Sequence, residues 1–179
     1  VETDEVPDAQ TFYNDPVPGS VKVGNYVWVD KNHDGKQGAA AAEPGIENVR
    51  MTVTGPGGQP VIGVNGMPVQ DVWTDASGHY EFSGLPILNG ADKSYTVTIV
   101  KNDPKTVIAL EPYVPTTANQ GTRAEDSDTD VSVSHLPLTS NGAEDMTLDF
   151  GFVKPYVSVG DYVWVDVNRA GLRDARDVK

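Results

Sequence analysis

The residues best suited to chemistry form a short run of oxygen-bearing side chains that ends in a glycine. Asp30, Asn32 and Asp34 stand at alternate positions, and Gly35 follows them. In a tightly curled loop, alternate side chains converge on one hard cation, and the glycine permits the sharp turn. The spacing therefore matches the first half of a calcium loop, although Glu43 arrives two positions later than an EF-hand requires. A plain polar turn is the alternative interpretation.

A second acidic run lies further along the chain. Residues 125–130 contain four carboxylates in six positions. Carboxylates that are packed together without counter-charge repel one another, so a divalent ion is one way to stabilise them. A solvated acidic loop is the other interpretation. Contact between this run and the first loop would favour a shared metal site.

An internal repeat indicates how the chain is organised. Residues 23–32 return as residues 159–168, with eight of ten positions identical at an offset of 136 residues. The second copy keeps Asp166 and Asn168 as candidate ligands, but Ala170 replaces the third one. Such self-similarity is typical of tandem arrays of modules. The sequence therefore predicts a slice of a longer array.

The repeat divides the chain into three expected parts. Residues 1–20 carry five carboxylates and three prolines without a basic residue, which favours a linker or the end of a preceding module. Residues 21–154 are expected to form one complete β-sandwich repeat. Residues 155–179 are expected to form a hinge and the first strand and loop of an incomplete second repeat. Because that strand cannot bury its apolar face alone, residues 159–165 are predicted to pair with a strand edge, either on the first domain or on a neighbouring molecule.

The elements that would position these residues are short strands. Gly (18) and Pro (13) separate segments that are rich in Val, Thr and Tyr, and such regularly spaced strands favour an all-β sandwich. A tight hairpin turn is predicted at 75–78 and one helical turn at 39–42. The three tryptophans, Trp28, Trp73 and Trp164, are assigned to the core or to junctions. Strands are predicted at 21–29, 46–54, 72–74, 80–82, 95–100 and 146–152.

Composition excludes several classes of function. Acidic side chains outnumber basic ones by 26 to 13, and the net charge of -13 repels phosphate backbones, so we expect no nucleic-acid partner. Apolar runs are too short for membrane insertion. The absence of Cys excludes thiolate metal sites and cysteine nucleophiles. Without a Gly-x-Ser-x-Gly elbow or a His-x-x-x-His pair, no enzymatic activity is predicted.

Several motifs, taken in order, resemble one known family. The motifs are residues 23–35, 43–46, 74–85, 126–128 and 149–152. In this order they are similar to the B-type repeat of the serine-aspartate repeat surface proteins of Gram-positive bacteria. The resemblance implies a prealbumin-like (transthyretin-like, Ig-like) β-sandwich. It also implies a calcium-stiffened stalk that lies outside the cell, contacts adjacent repeats of the same chain and projects a ligand-binding region. Anchoring to the cell wall would come from regions outside this chain.

The resemblance also implies site residues. Related collagen-adhesin B-type modules form an internal isopeptide bond, which implies Lys22 and Asp149 as partners and Glu81 as the assisting acid. Asp126, Asp128 and Asp130 would belong to the first calcium site or to a neighbouring one. The implied ligands in the first loop are Asp30, Asn32, Asp34, the Lys36 carbonyl and Glu43.

Two other functions stay open at this point. The module could itself bind a host surface protein or a glycan through its loops or an exposed strand edge. It could also be an accessory β-sandwich of a secreted enzyme. A Trp73→Ala variant that folds but no longer binds a host ligand would favour the first of these.

Overall fold

The structure is a sandwich of two β-sheets. The computed structural model describes residues 18–90, 93–156, 165–167, 169 and 171, and within them it contains nine strands and one α-helix. The all-β sandwich predicted from the sequence is confirmed. The first sheet contains β1 (Ser20–Val29), β4 (His79–Pro86), β6 (Val114–Pro115), β8 (Glu144–Asp145) and β9 (Phe150–Val153). The second contains β2 (Arg50–Thr54), β3 (Val72–Trp73), β5 (Thr96–Ile99) and β7 (Val131–Val133).

Strand β1 organises the first sheet. It pairs antiparallel with β4 on one side and parallel with β9 on the other, in the order β4-β1-β9-β6. The short β8 also pairs parallel with the first half of β1. In the second sheet the order is β3-β2-β5-β7, and every pairing is antiparallel. The first and last strands of the domain therefore run in the same direction.

The core lies between the two sheets. In β2 the side chains of Met51 and Val53 are buried while their neighbours are partly exposed, as the alternation in the sequence predicted. Both faces of β1 contribute buried residues, which agrees with an interior strand, and Trp28 is buried as expected. The largest fully buried side chains are Trp28, Tyr80, Tyr95, Phe82, Phe150 and Met51.

One helix was not predicted from the sequence. Helix α1 (Pro104–Leu110) begins after Asp103, whose carboxylate accepts hydrogen bonds from the backbone N–H groups of Lys105 and Thr106. Proline at the first helical position and an aspartate cap are both typical start signals. The helix buries only Thr106 and exposes Ile108, so it carries no apolar stripe of helical period. The sequence therefore marks where this helix begins but carries no periodic pattern that would predict it.

Two further expectations need correction. The turn at residues 75–78 is present, and the Gly78 N–H donates to the Asp75 carbonyl. It does not form a hairpin, however, because the strands that it connects, β3 and β4, belong to different sheets. Trp73 is 43% exposed and is not a core residue, because its strand lies at the edge of the second sheet. Residues 1–17, Trp164 and most of the predicted strand at 159–165 lie outside the described residues.

Candidate metal centre

The loop that follows β1 is built around one buried carboxylate. Asp30 is fully buried, and its Oδ2 accepts hydrogen bonds from the Gly35 N–H at 2.9 Å and from the Thr116 hydroxyl at 2.5 Å. Its Oδ1 accepts from the Asp34 N–H at 3.3 Å. We call residues 30–36 the cation loop. These bonds curl the loop around the Asp30 side chain.

Glycine is required at the end of this curl. Gly35 has a φ of 74°, in the left-handed region that glycine adopts without steric cost. An added Cβ atom would lie 2.5 Å from the Thr117 carbonyl oxygen, so the neighbouring segment also excludes a side chain. The glycine of the predicted calcium motif is thus explained by backbone shape and by close packing.

The other loop oxygens bind groups within the loop itself. Asn32 Oδ1 accepts from the Asp34 N–H at 3.1 Å, and Asp34 Oδ1 accepts from the Lys36 N–H at 2.8 Å. Asp34 Oδ2 accepts from the Asn32 amide at 2.9 Å. The predicted ligands therefore lie together on one short, curled segment. A bound ion would compete with these N–H donors for the same oxygens.

Glu43 contributes a buried carboxylate beside the loop. The turn at 39–42 positions it, since the N–H groups of Ala42 and Glu43 both donate to the Ala39 carbonyl. Its Oε2 accepts from the Gly38 N–H at 2.5 Å. Its Oε1 is buried and has no hydrogen-bond partner among the described residues. An unpaired buried carboxylate oxygen is costly, which makes this atom a candidate cation ligand.

The second acidic run lies directly against the cation loop. We call residues 125–130 the acidic segment. Lys36 and Asp126 form a backbone bridge, and the Gln37 N–H donates to the Glu125 carbonyl at 2.6 Å. Asp126 is buried, and this desolvation raises its pKa, with a further rise from the negative charge of Asp128. The structure thus brings together the two segments that the sequence singled out separately.

Two other carboxylates of the acidic segment, Asp128 and Asp130, have their contacts outside the cation loop. Asp128 accepts a hydrogen bond from the Ser132 hydroxyl. Asp130 forms an ion pair with Lys101 at 2.5 Å, while its other oxygen, Oδ1, is buried and unpaired within the described part of the chain. Asp130 is therefore tied to the second sheet. The described contacts connect Asp126 most directly to the cation loop.

The carboxylates do not close into one cluster. Across the described ranges, no three Asp, Glu, His or Cys side chains are arranged so that they could hold a metal ion together. Hydrogen bonds from loop N–H groups occupy oxygens of Asp30, Asn32 and Asp34. Any ion at this place would need amide and backbone oxygens as well as carboxylates.

The second copy of the loop repeats the central hydrogen bond. The Gly171 N–H donates to Asp166 Oδ2 at 2.8 Å, as the Gly35 N–H donates to Asp30 Oδ2 at 2.9 Å. The two glycines also have similar φ angles, 72° and 74°. Asn168 lies outside the described residues. The identity in sequence therefore extends to this hydrogen bond and to the backbone of the glycine that makes it.

The residues of the predicted isopeptide bond have different partners. Lys22 Nζ lies 3.3 Å from Glu81 Oε2, and both side chains are partly exposed to solvent. Asp149 is fully buried and accepts hydrogen bonds from the Asn25 amide at 2.9 Å and the Tyr26 N–H at 3.3 Å. Desolvation raises the pKa of Asp149 to about 8. These contacts give no support to a Lys22–Asp149 bond, which stays a prediction.

One contributor to the site was missed in the sequence. Thr116 donates its hydroxyl proton to Asp30 across a separation of 86 residues, and its N–H donates to the Gly151 carbonyl on β9. A lone threonine far from the motif carries no local signal. Only the pairing of β6 with β9 places it beside the loop.

Comparison with known proteins gives consistent matches. The model of the SdrD B-like domain family matches residues 21–152. The chain is 39% identical over 157 residues to serine-aspartate repeat-containing protein E of Staphylococcus aureus (strain USA300) and 38% identical over 157 residues to bone sialoprotein-binding protein of Staphylococcus aureus (strain MRSA252). These alignments cover 87% of this chain but only 12% of either relative. The resemblance to serine-aspartate repeat proteins and the prealbumin-like sandwich are both confirmed.

Proposed function

The chain belongs to the SdrD B-like domain family, and from that premise we propose that it is a calcium-binding spacer repeat of a bacterial cell-surface adhesin. In this role it stiffens a stalk and projects a ligand-binding region that lies elsewhere in the protein. This chain spans only a small part of the serine-aspartate repeat proteins that it matches. The function of the full-length protein to which the repeat belongs is therefore also a proposal. The repeat acts by rigidity, and we assign it no catalytic step.

One observation carries the calcium assignment: three carboxylates, in the cation loop and in the two segments beside it, are buried. Asp30 is 0% exposed, Glu43 5% and Asp126 7%. No ion pair in the described part of the chain involves any of the three. Burying an ionised carboxylate without a partner is strongly unfavourable, and a bound cation removes that cost. The orphaned Glu43 Oε1 fits this requirement directly.

The chemistry of the donors favours calcium over other metals. Carboxylate, amide and carbonyl oxygens are hard ligands that Ca²⁺ accepts in flexible geometry, whereas Mg²⁺ demands a nearly ideal octahedron. When bound, the ion supplies an electrostatic cross-link between the cation loop and the acidic segment. Asp130 and the second copy, Asp166 with Asn168, are candidates for further sites. Asp128 is a candidate for a neighbouring site. The residues proposed to hold the first ion are Asp30, Asn32, Asp34, the Lys36 carbonyl, Glu43 and Asp126.

The proposed location follows from the family. Serine-aspartate repeat proteins are the relatives, so we place the repeat outside the bacterial cell, next to adjacent repeats of its own chain. Cell-wall anchoring would reside in other parts of the full protein. Among the described residues, no helix is both long and apolar enough to cross a membrane. Extracellular calcium is millimolar, so a site with a dissociation constant of about 10⁻⁴ to 10⁻³ M would be substantially filled.

A thermal melt tests the proposal. The protein is heated in excess chelator, in about 10 mM calcium and in about 10 mM magnesium. With a dissociation constant of ~10⁻⁴ M, calcium should stabilise the fold by about 2.7 kcal/mol, which corresponds to a rise in Tm on the order of 5 to 10 °C. Equal melting in all three buffers would refute the calcium site.

A pair of variants links that rise to the site. Glu43→Gln removes the charge of the buried carboxylate, while Glu47→Gln removes the charge of an exposed one nearby. We expect the first variant to lose most of the calcium-dependent rise and the second to keep it. Loss of the rise in both variants would mean that general surface charge, and not this site, attracts the ion.

One observation favours a second candidate function, binding of a host protein or glycan. Trp73 is exposed at the edge of the second sheet, with the Arg50 guanidinium 5.1 Å and the Lys105 ammonium 5.9 Å from its ring centroid. An exposed tryptophan beside cations is a frequent contact residue at interfaces. One relative is named for binding bone sialoprotein. Trp73→Ala should fold normally, and loss of binding to bone sialoprotein or to a glycan array would support this function.

A further inference from the structure

The cation loop lies where the chain leaves the domain. Strand β1 leads into the loop and β9 leads out of the domain, and the two are parallel neighbours with Val29 opposite Phe152. The Asp30 N–H donates to the Phe152 carbonyl at 2.8 Å. The loop and the outgoing segment therefore emerge side by side from the same end of the first sheet.

One side chain of the loop contacts the outgoing segment. The imidazole of His33 stacks on the ring of Tyr156, with ring centroids 5.3 Å apart and planes inclined by 16°. Tyr156 is 77% exposed, so this stack does not belong to the core of the sandwich. Tyr156 lies three residues before the repeated segment 159–168, in the part of the chain expected to be a hinge. The contact thus connects the loop to the segment that leads into the second repeat.

The backbone of the loop is shaped to present this side chain. His33 has a φ of 61°, which is uncommon for a residue other than glycine. The equivalent residue of the second copy, Arg169, has a φ of 57°. Arginine also stacks on aromatic rings through its planar guanidinium. Both copies therefore have, at the same left-handed position of the loop, a residue whose planar side-chain group can stack on an aromatic ring.

We propose that the ring of His33 is the docking contact between this repeat and the segment that begins at Tyr156. The contact makes the cation loop an interaction surface whose partner is the next unit of the same chain. His33 stands between Asn32 and Asp34, two of the proposed ligands, so an ion that fixes their oxygens also fixes the ring. This last step, coupling of docking to calcium, rests on the proposed function.

Coupling of this kind is reciprocal. If calcium strengthens the stack by a certain factor, then loss of the stack must weaken calcium binding by the same factor. Stacked aromatic pairs change equilibria by about two- to tenfold. Removal of either ring should therefore weaken calcium binding by about two- to tenfold, and removal of both should weaken it no further than removal of one.

The variants are chosen so that the loop keeps its shape. His33→Asn removes the ring but suits the left-handed backbone, which asparagine tolerates. His33→Arg copies the second loop and should preserve docking. Tyr156→Leu removes the other ring. Lys31→Ala is the matched control, because Lys31 is an exposed loop residue outside the proposed ligand set.

Two measurements on the full chain decide the matter. The first is the NMR ring signal of Tyr156 in protein labelled at tyrosine, recorded in chelator and assigned with Tyr156→Leu. We expect His33→Asn to move this signal while Lys31→Ala leaves it in place, and an unmoved signal in His33→Asn would overturn the docking contact. The second is calcium affinity by titration calorimetry, for the single variants and for the double variant.

The two measurements separate the inference from the function it deepens. If calcium raises the Tm of the wild-type chain but binds His33→Asn unchanged, the coupling is refuted and the calcium site stands. If calcium has no effect on the wild-type chain, the proposed function and the coupling both fail. The Tyr156 signal in chelator then still confirms or overturns the docking contact itself.

Discussion

Replacement of Asp149 by asparagine should remove a strong pH dependence of stability. Asp149 directly precedes β9, and its carboxyl is fully buried against β1, where the Asn25 amide and the Tyr26 N–H donate hydrogen bonds to it. Desolvation raises its pKa to about 8, and the charges of Asp126 and Asp128 add to the rise. In the unfolded chain the pKa returns to about 3.9. Folding therefore takes up a proton at this carboxyl between these two values of pH.

The sign and size of the effect follow from that difference. Between pH 4 and 8 the folded state holds more protons at Asp149 than the unfolded state, so its stability falls as the pH rises. Each pKa unit corresponds to ~1.4 kcal/mol, so a difference of about four units gives a loss on the order of 5 kcal/mol. The contribution is fully present below pH 4 and is lost above pH 8. A neutral asparagine abolishes it.

Urea denaturation in chelator at pH 5, 6, 7 and 8 measures this effect. The free energy of unfolding of the wild-type protein should fall relative to that of Asp149→Asn by about 1 kcal/mol or more per pH unit. Asp75→Asn is the control, since Asp75 is exposed and a hydrogen bond from Ser77 lowers its pKa out of this range. Parallel stability curves for the wild type and Asp149→Asn would refute the reasoning.

Three further substitutions test the packing and surface contacts. Phe150→Ala empties a fully buried site on β9 and should cost about 3–5 kcal/mol of unfolding free energy in urea melts. Asp103→Ala removes the cap of α1, which binds the Thr106 N–H, and should cost about 1 kcal/mol in the same assay. Lys22→Ala breaks a solvent-exposed pair with Glu81 and should cost less than about 1 kcal/mol, and a much larger loss would support the isopeptide bond.

Most of the sandwich could be predicted from local sequence. The period-two alternation around Met51 and the apolar run of β1 both reflect burial between sheets, which a single strand records in its own side chains. The sequence of a strand does not show which other strands it pairs with. The turn at 75–78 has the residues of a hairpin, yet it crosses between sheets, since turn chemistry fixes the reversal of the chain and not the sheet it enters. Trp73 was misassigned for the same reason, because edge position is a property of the assembled sheet.

The site was predictable only in part. The spacing of Asp30, Asn32 and Asp34 located the cation loop, because convergence of alternate side chains is a local property. The contact between Lys36 and Asp126 joins residues 90 positions apart, and only the assembled sheets create it. The ion pair of Asp130 with Lys101 was equally invisible, although it ties up one oxygen of a predicted ligand.

The direction of the strands bears on the proposed stalk function. Strand β1 has ten residues, which at ~3.3 Å per residue gives a length of about 33 Å, and β9 runs parallel to its second half. The chain therefore begins the domain at one end of β1 and leaves it at the other. Under the proposed function, successive repeats would line up end to end, and each junction would lie against a cation loop. An ion bound there would then stiffen that junction.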